Sequence, residues 1–211
     1  MAAFYDARGN TYFVASPEEI AGFAELPQTA PEAASTRERW ARRAIERICG
    51  RPNVSAGIET GGAKRYRSDG LLVGPFPDEH AFALLIVNTD GTLAERSGNG
   101  LTIFSQCLID TGRATRLDAF YLRVYHDTPE SPLVEARIEA DEREGQKGFW
   151  IDMGVPTFGL SAVGAAPEHV GVSEFEGRIV TRVYDLEKIE ASWACSQFVN
   201  VGNPHCVTFL T

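Results

Sequence analysis

Apolar residues alternate with polar ones over many short stretches of the chain, which is the period of half-buried β-strands. The pattern predicts strands over residues 4–14, 71–74, 82–87, 120–125, 133–138, 148–153, 179–184, 198–201 and 207–210. Gly9-Asn10 interrupts the first of these, which predicts a bend or bulge that presents the asparagine side chain. The run Leu84-Leu85-Ile86-Val87 has no polar face, so this strand is predicted to be covered on both sides.

Helical periodicity is present in two places. Residues 36–49 follow the capping box Ser35-Thr36-Arg37-Glu38 and predict a surface helix with a solvated, arginine-rich face. Residues 101–109 have little polar face, which predicts a buried central helix ended by Gly112.

The segments between these elements are predicted to be loops. Residues 15–34 are rich in proline, alanine and glutamate and predict a mobile surface excursion. Residues 53–67 are glycine-rich without periodicity, and residues 139–147 are charged, which predicts a loop and a hairpin loop.

The turn Ser97-Gly98-Asn99-Gly100 joins the apolar strand region to the central helix. Two glycines allow the backbone to wrap closely around a ligand, and a helix N-terminus offers unpaired N–H donors and a partial positive charge. The turn is therefore a candidate site for a carboxylate. Taken alone, the motif is also compatible with a glycine-rich turn that binds nothing.

A second motif near the C-terminus, Gly202-Asn203-Pro204-His205-Cys206-Val207, has a similar character. The chain resembles the diaminopimelate epimerase family at three separated places. These are Gly9-Asn10 near the start, the run Asn88-Thr89-Asp90-Gly91 with the turn at Ser97 in the middle, and this second motif. The order and approximate spacing of the motifs match that family, whose middle motif reads Cys-Gly-Asn-Gly.

The resemblance implies an α/β (α+β) fold in which a mixed sheet wraps around a central helix. Two such domains would hold an amino acid in the cleft between them, without pyridoxal phosphate or a metal ion. Residues 1–118 are expected to form the first domain, and residues 119–211 the first part of a similar, incomplete second domain. Such a second domain should expose apolar surface, which a homodimer could cover.

The resemblance also assigns roles to individual residues. Ser97 falls where the family has its first catalytic cysteine, and the second cysteine, in an Ala-Cys-Gly-Thr-Gly-like turn, has no counterpart before Thr211. The implied substrate-binding groups are the backbone of Gly98 and the side-chain amides of Asn10, Asn88, Asn99 and Asn203. A serine is a poor first base, because an alkoxide at neutral pH costs roughly 10 kcal/mol more than a thiolate.

The implied function is cofactor-independent epimerisation of an amino acid at Cα. Diaminopimelate, converted from the LL to the meso form, is the expected substrate, and the enzyme would be an isomerase of lysine biosynthesis. One alternative is a one-base enzyme like the proline racemases and hydroxyproline dehydratases. Another is a non-catalytic amino-acid-binding relative, because both expected catalytic cysteines are missing.

Composition narrows the class of partner. The chain has 211 residues, 44% of them hydrophobic and 23% charged, as in a soluble globular protein. Its net charge of −9 argues against nucleic acid or an anionic membrane as partner. The start carries no signal-peptide pattern, which predicts a cytoplasmic location, and the scattered cysteines and histidines predict no metal site.

Overall fold

The computed structural model describes residues 2–51, 65–129 and 131–210. The chain divides into two compact units, Met1–Asp152 and Met153–Thr211. The sequence placed a division near Asp118, but the strands that follow this residue belong to the sheet of the first unit. The statement that the second unit is the first part of a second similar domain stays a prediction.

The first unit contains an eight-stranded mixed sheet. Its strands are β1 (Ala3–Ala7), β2 (Asn10–Ala15), β3 (Gly70–Phe76), β4 (Phe82–Asn88), β5 (Leu93–Ala94), β6 (Phe120–Tyr125), β7 (Leu133–Arg143) and β8 (Gln146–Ile151). The strand order is β1-β2-β3-β4-β6-β7-β8, with β5 paired to β4. The pairs β2–β3 and β4–β6 are parallel, and the other pairs are antiparallel.

Helices cover both faces of this sheet. They are α1 (Pro17–Ala21), α2 (Ala30–Ser35), α3 (Ala41–Ile48) and α4 (Gly98–Asp110). The buried side chains of α1 to α3 form one apolar cluster with side chains of β2, β3 and β4. Helix α4 contacts β1 and β2 at one end of the strand order and β8 at the other, so the sheet curls around it. The predicted mixed sheet around a central helix is confirmed for this unit.

The prediction of a mobile excursion over residues 15–34 is wrong. Ser16 and Glu19 form a capping box that starts α1, and Ile20 and Ala33 are fully buried. The predicted helix over residues 36–49 is shorter than expected, since a 3₁₀ turn over Arg37–Arg39 precedes α3. Alanine side chains on two short helices bury little area, so their periodicity is weak in the sequence.

Two further predictions are corrected at turns. Residues 4–14 form the hairpin β1–β2 around Arg8 and Gly9, which both have positive φ, instead of one bent strand. The strands of the charged hairpin extend to Arg143 and resume at Gln146, so its loop is tighter than predicted. The loop predicted at residues 53–67 lies largely outside the described residues.

The second unit is built mostly of antiparallel strands. Its elements are β9 (Thr157–Phe158), α5 (Leu160–Val163), β10 (Val170–Phe175), β11 (Arg178–Val183), α6 (Tyr184–Ile189), β12 (Ser196–Asn200) and β13 (Pro204–Thr208). The sheet order is β10-β11-β12-β13, with β9 paired to β12. Of its described residues only Ser196 and Phe198 are buried, whereas Val155 is 88% and Ile179 82% exposed. This unit therefore leaves apolar surface uncovered.

Among the described residues, no helix combines the length and the apolarity that crossing a bilayer requires.

The central helix should carry much of the stability of the first unit. We expect Phe104→Ala to lower the free energy of unfolding by about 3–5 kcal/mol, because Phe104 is fully buried on α4 and its loss leaves a cavity. Leu117→Ala is the control, since Leu117 is 94% exposed and should change stability by less than about 0.5 kcal/mol. Urea unfolding followed by circular dichroism measures both, and equal losses would contradict the central position of α4.

Candidate active site

Helix α4 begins at a serine cap. The Oγ of Ser97 accepts a hydrogen bond from the backbone N–H of Gly100 at 3.0 Å, and its carbonyl accepts one from Leu101 at 2.8 Å. Within the described part of the chain, the N–H groups of Gly98 and Asn99 have no acceptor, and both residues are exposed. Two outward-facing donors at the positive end of a 13-residue helix suit an anionic ligand such as a carboxylate.

The two glycines of this turn have different roles. A Cβ on Gly98 would meet nothing within 4 Å, so the entrance to the turn is open. A Cβ on Gly100 would lie 3.1 Å from the Ser97 Oγ and 3.4 Å from the Leu72 Cδ2. Gly100 thus allows the serine cap and the sheet to approach closely.

Tyr12 contacts the serine from the sheet. Its hydroxyl lies 3.3 Å from the Ser97 Oγ, and the residue is only 6% exposed. Tyr12 pairs with Gly70 in β3, and a Cβ there would lie 2.6 Å from the Tyr12 Cε1. The missing side chain of Gly70 therefore makes room for the tyrosine ring.

Asn10 and Asn88 approach this site along the sheet. Asn10 lies two residues before Tyr12 and so on the same face of β2, and its Oδ1 is buried without a hydrogen-bond partner among the described residues. Asn88 pairs with Gly70, which places Tyr12, Gly70 and Asn88 in one row across three strands. The Nδ2 of Asn88 donates to the Thr92 Oγ1 at 3.0 Å, so this amide nitrogen stabilises the turn that follows β4.

The remaining predicted residues are more exposed. Asn99 lies in the open first turn of α4. Asn203 belongs to the second unit, in the turn between β12 and β13, where its Oδ1 lies 3.0 Å from the His205 Nε2. A role for Asn203 beside Ser97 therefore stays a prediction.

Cys107 and Cys206 are the cysteines to consider as a replacement for the missing catalytic cysteine. Cys107, predicted to be a small core residue, is half-buried near the far end of α4, and burial raises the pKa of its thiol. Cys206 is exposed on β13 of the second unit. A raised thiol pKa leaves less thiolate at neutral pH, which makes Cys107 a weak base.

The motifs in the sequence do not single out Tyr12 as a site residue. Its signal was the alternation of β2, which places every second side chain on the same face as Asn10. The contact with Ser97 depends on a parallel pairing between β2 and β3, two strands separated by more than fifty residues. No local pattern encodes this register.

His126 is a second buried polar group, at the end of β6. It is 2% exposed, its Nδ1 accepts weakly from Thr128 N, and its Nε2 has no partner among the described residues. Burial lowers the pKa of His126, and the charges of Glu95 and Asp127 oppose this effect. The Glu95 carboxylate, two residues before Ser97, accepts from the Thr128 hydroxyl at 2.9 Å. The segment that contains His126 and Thr128 is therefore hydrogen-bonded to the segment that leads to Ser97.

The chain is similar in sequence to several curated proteins. No family model matches it. It is 32% identical over 207 residues to diaminopimelate epimerase 2 of Nostoc sp., covering 98% of this chain and 56% of that protein. It is 30% identical over 146 residues to diaminopimelate epimerase of Gloeothece citriformis and 31% identical over 142 residues to that of Methanocaldococcus jannaschii, covering 45% and 42% of those proteins.

A solved structure also aligns along most of the chain. It is a methylitaconate-delta-isomerase at 16% identity and a TM-score of 0.42, with 97% of this chain and 51% of the other covered.

The architecture defines an α+β protein in which a curled mixed sheet encloses a helix with an open, serine-capped N-terminus. By sequence, the chain is similar to several proteins named diaminopimelate epimerase. It spans about half the length of the curated relatives that it matches.

The difference between the two glycines is testable by alanine substitution. Gly98→Ala should raise the free energy of unfolding by up to about 1 kcal/mol, because alanine favours helix and its Cβ meets nothing. Gly100→Ala carries the same helix gain but crowds Ser97, so it should be the less stable of the two variants. Urea unfolding at neutral pH measures both. Equal stabilities would show that Gly100 is not needed for the close contact.

His126 should make stability depend on pH. Because the folded state lowers its pKa, the unfolded chain binds the proton more readily, so stability is lost as pH falls below about 6.5. The native chain should therefore lose more stability between pH 7.5 and 5.5 than His126→Gln does. His80→Gln, at an exposed histidine, should follow the native chain. Parallel curves for native chain and His126→Gln would contradict this account.

Proposed function

We propose that this chain acts on the α-carbon of an amino acid of the diaminopimelate type, in cofactor-independent epimerisation from the LL to the meso form. The observation that carries the proposal is the Ser97 hydroxyl held beside two free N–H donors at the N-terminus of α4. The names of the curated relatives support diaminopimelate as the substrate. The reaction would belong to lysine biosynthesis.

The turn has the donors that such a reaction needs. Removing the α-proton leaves negative charge that is shared with the neighbouring carboxylate. Donors fixed before the reaction stabilise this charge at little reorganisation cost, and the proposal assigns this role to the N–H groups of Gly98 and Asn99. The Asn10 Oδ1 is buried and has no hydrogen-bond partner among the described residues, which supports it as the proposed acceptor for the α-ammonium group.

The serine limits how fast this chemistry proceeds. A serine alkoxide costs roughly 10 kcal/mol more than a cysteine thiolate at neutral pH, so proton abstraction by Ser97 alone is slow. This feature favours a second candidate function, proton chemistry at one face of the substrate only, as in racemase-like or dehydratase-like relatives. Binding of an amino acid without chemistry is the outcome if no proton exchange occurs.

The cellular setting is proposed on simpler grounds. The four cysteines are free thiols, which supports a reducing compartment such as the cytoplasm. The partner is a small amino acid, and the uncovered apolar side chains of the second unit support a homodimer.

Solvent deuterium uptake at the α-carbon of LL-diaminopimelate tests the proposal. The native chain should exchange slowly, Ser97→Ala should lower the rate at least tenfold, and Ser97→Cys should raise it by orders of magnitude. The expected gain follows from the greater acidity of a thiol at the same position. Proton nuclear magnetic resonance of the substrate in heavy water gives the rates.

Ser105→Ala is the matched control. Ser105 lies on the same helix, beyond its first turn, and is fully buried, so the loss of its hydroxyl should leave exchange unchanged. Exchange that is insensitive to Ser97→Ala would assign proton removal to another residue. No exchange by the native chain or by Ser97→Cys would sink the proposed chemistry.

A further inference from the structure

Ser97 has one free lone pair and one proton to exchange. Its Oγ accepts from the Gly100 N–H, and the only other recorded neighbour within hydrogen-bond distance in the described chain is the Tyr12 hydroxyl, at 3.3 Å. Either oxygen can donate in this pair. A serine that removes or returns a proton needs a partner that takes or supplies its own proton, and Tyr12 is in the right place.

We propose that the Tyr12 phenol is the proton-relay partner of Ser97, so that the two hydroxyls together remove the proton that a cysteine would remove alone. The inference rests on the proposed function, since it assigns the proton path of that same site. Tyr12 acts through Ser97 and is a positioning residue in this scheme.

The proton balance closes with water as the only other reactant, because the Tyr12 phenol first gives its proton to water and becomes a phenolate. In abstraction, the Ser97 Oγ takes the α-proton while its own hydroxyl proton passes to the Tyr12 phenolate. The C–H bond and the original O–H bond of Ser97 break, and a new O–H bond forms on Ser97 and another on Tyr12. The substrate keeps the electron pair as a carbanion next to its carboxylate. In the return step, Ser97 gives its proton to the carbanion and receives one from the phenol, which restores the phenolate. Exchange of the phenolic proton with water between the two steps brings solvent hydrogen to the α-carbon.

The gain from a phenol follows from general acidities. A phenol ordinarily ionises near pH 10, whereas an aliphatic alcohol is about as weak an acid as water. At equal pH a phenolate is therefore populated about 10⁵-fold or more over an alkoxide. In the relay the reacting oxygen belongs to serine, while the proton that this serine gives up goes to the oxygen of a more acidic type of group, a phenol.

The geometry fixes this pair from both sides. Gly70 leaves room for the tyrosine ring over β3, and a Cβ there would come within 2.6 Å of it. Gly100 leaves room for the Ser97 side chain, which its N–H also holds. Tyr12 is 6% exposed, while Ser97 is half-buried and borders the open turn, so the serine separates the phenol from the ligand side.

The first test compares two phenol-to-phenyl changes at opposite ends of α4. Tyr12→Phe removes only the oxygen next to Ser97, whereas Tyr5→Phe removes a phenol that donates to Asp110 at 3.1 Å. Deuterium uptake by LL-diaminopimelate should fall at least tenfold in Tyr12→Phe, with little change in KM. Tyr5→Phe should keep the native rate. A Tyr12→Phe rate equal to the native one would overturn the relay.

The second test needs no turnover. In a Ser97→Cys background, the pH dependence of iodoacetamide labelling, read at position 97 by peptide mass spectrometry, gives the apparent pKa of the introduced thiol. Hydrogen bonding from the phenol stabilises the thiolate, so adding Tyr12→Phe should slow labelling at pH 7 about tenfold, whereas adding Tyr5→Phe should not. Unchanged labelling would show that Tyr12 does not govern the proton at this position.

The two tests also separate this inference from the function on which it rests. Tyr12-dependent labelling with Tyr12-dependent exchange supports both. Tyr12-dependent labelling without exchange in any variant sinks the proposed function while the proton coupling between Tyr12 and position 97 stands. Exchange that depends on Ser97 but not on Tyr12 keeps the function and overturns the relay.

Discussion

The burial of helix α4 inside the curled sheet is the constraint on which the rest of the first unit depends. Leu101, Phe104 and Leu108 are almost fully inaccessible to solvent, and the sheet reaches the helix from both ends of its strand order. A helix enclosed in this way is fixed in rotation and in translation. Its N-terminal turn is thereby fixed too, and the N–H donors of Gly98 and Asn99 that follow Ser97 lie at exposed positions.

The sheet register adds the second requirement of the site. Tyr12, Gly70 and Asn88 come from three distant parts of the chain and form one row because β2, β3 and β4 are neighbours. A side chain at Gly70 would meet both the tyrosine ring and the Val87 carbonyl, so the row tolerates only a glycine at its centre. Packing thus serves both the fold and the approach of Tyr12 to Ser97.

Much of this first unit follows from local patterns, but the pairing of its strands does not. The apolar run at Leu84 and the apolar helix after Gly100 predicted a covered strand and a central helix, because burial on all sides removes polar residues from a sequence. The sequence did not predict the helices of residues 15–34, since alanine contributes little to hydrophobic periodicity. The Tyr12 contact and the assignment of β6 to β8 to the first sheet depend on pairing partners, which alternation alone does not specify.

The helix N-terminus stabilises negative charge by much less than the free energy needed to ionise Ser97. A helix N-terminus stabilises a nearby negative charge by up to about 2 kcal/mol, whereas a serine alkoxide lies roughly 10 kcal/mol above a thiolate at neutral pH. The position of Ser97 at the end of α4 therefore cannot by itself replace the chemistry of a cysteine. Ser97 must either share its proton with a more acidic group or serve to orient a ligand without reacting. The Tyr12 hydroxyl is such a group and lies at hydrogen-bond distance, so the structure contains the part that the first of these two roles requires.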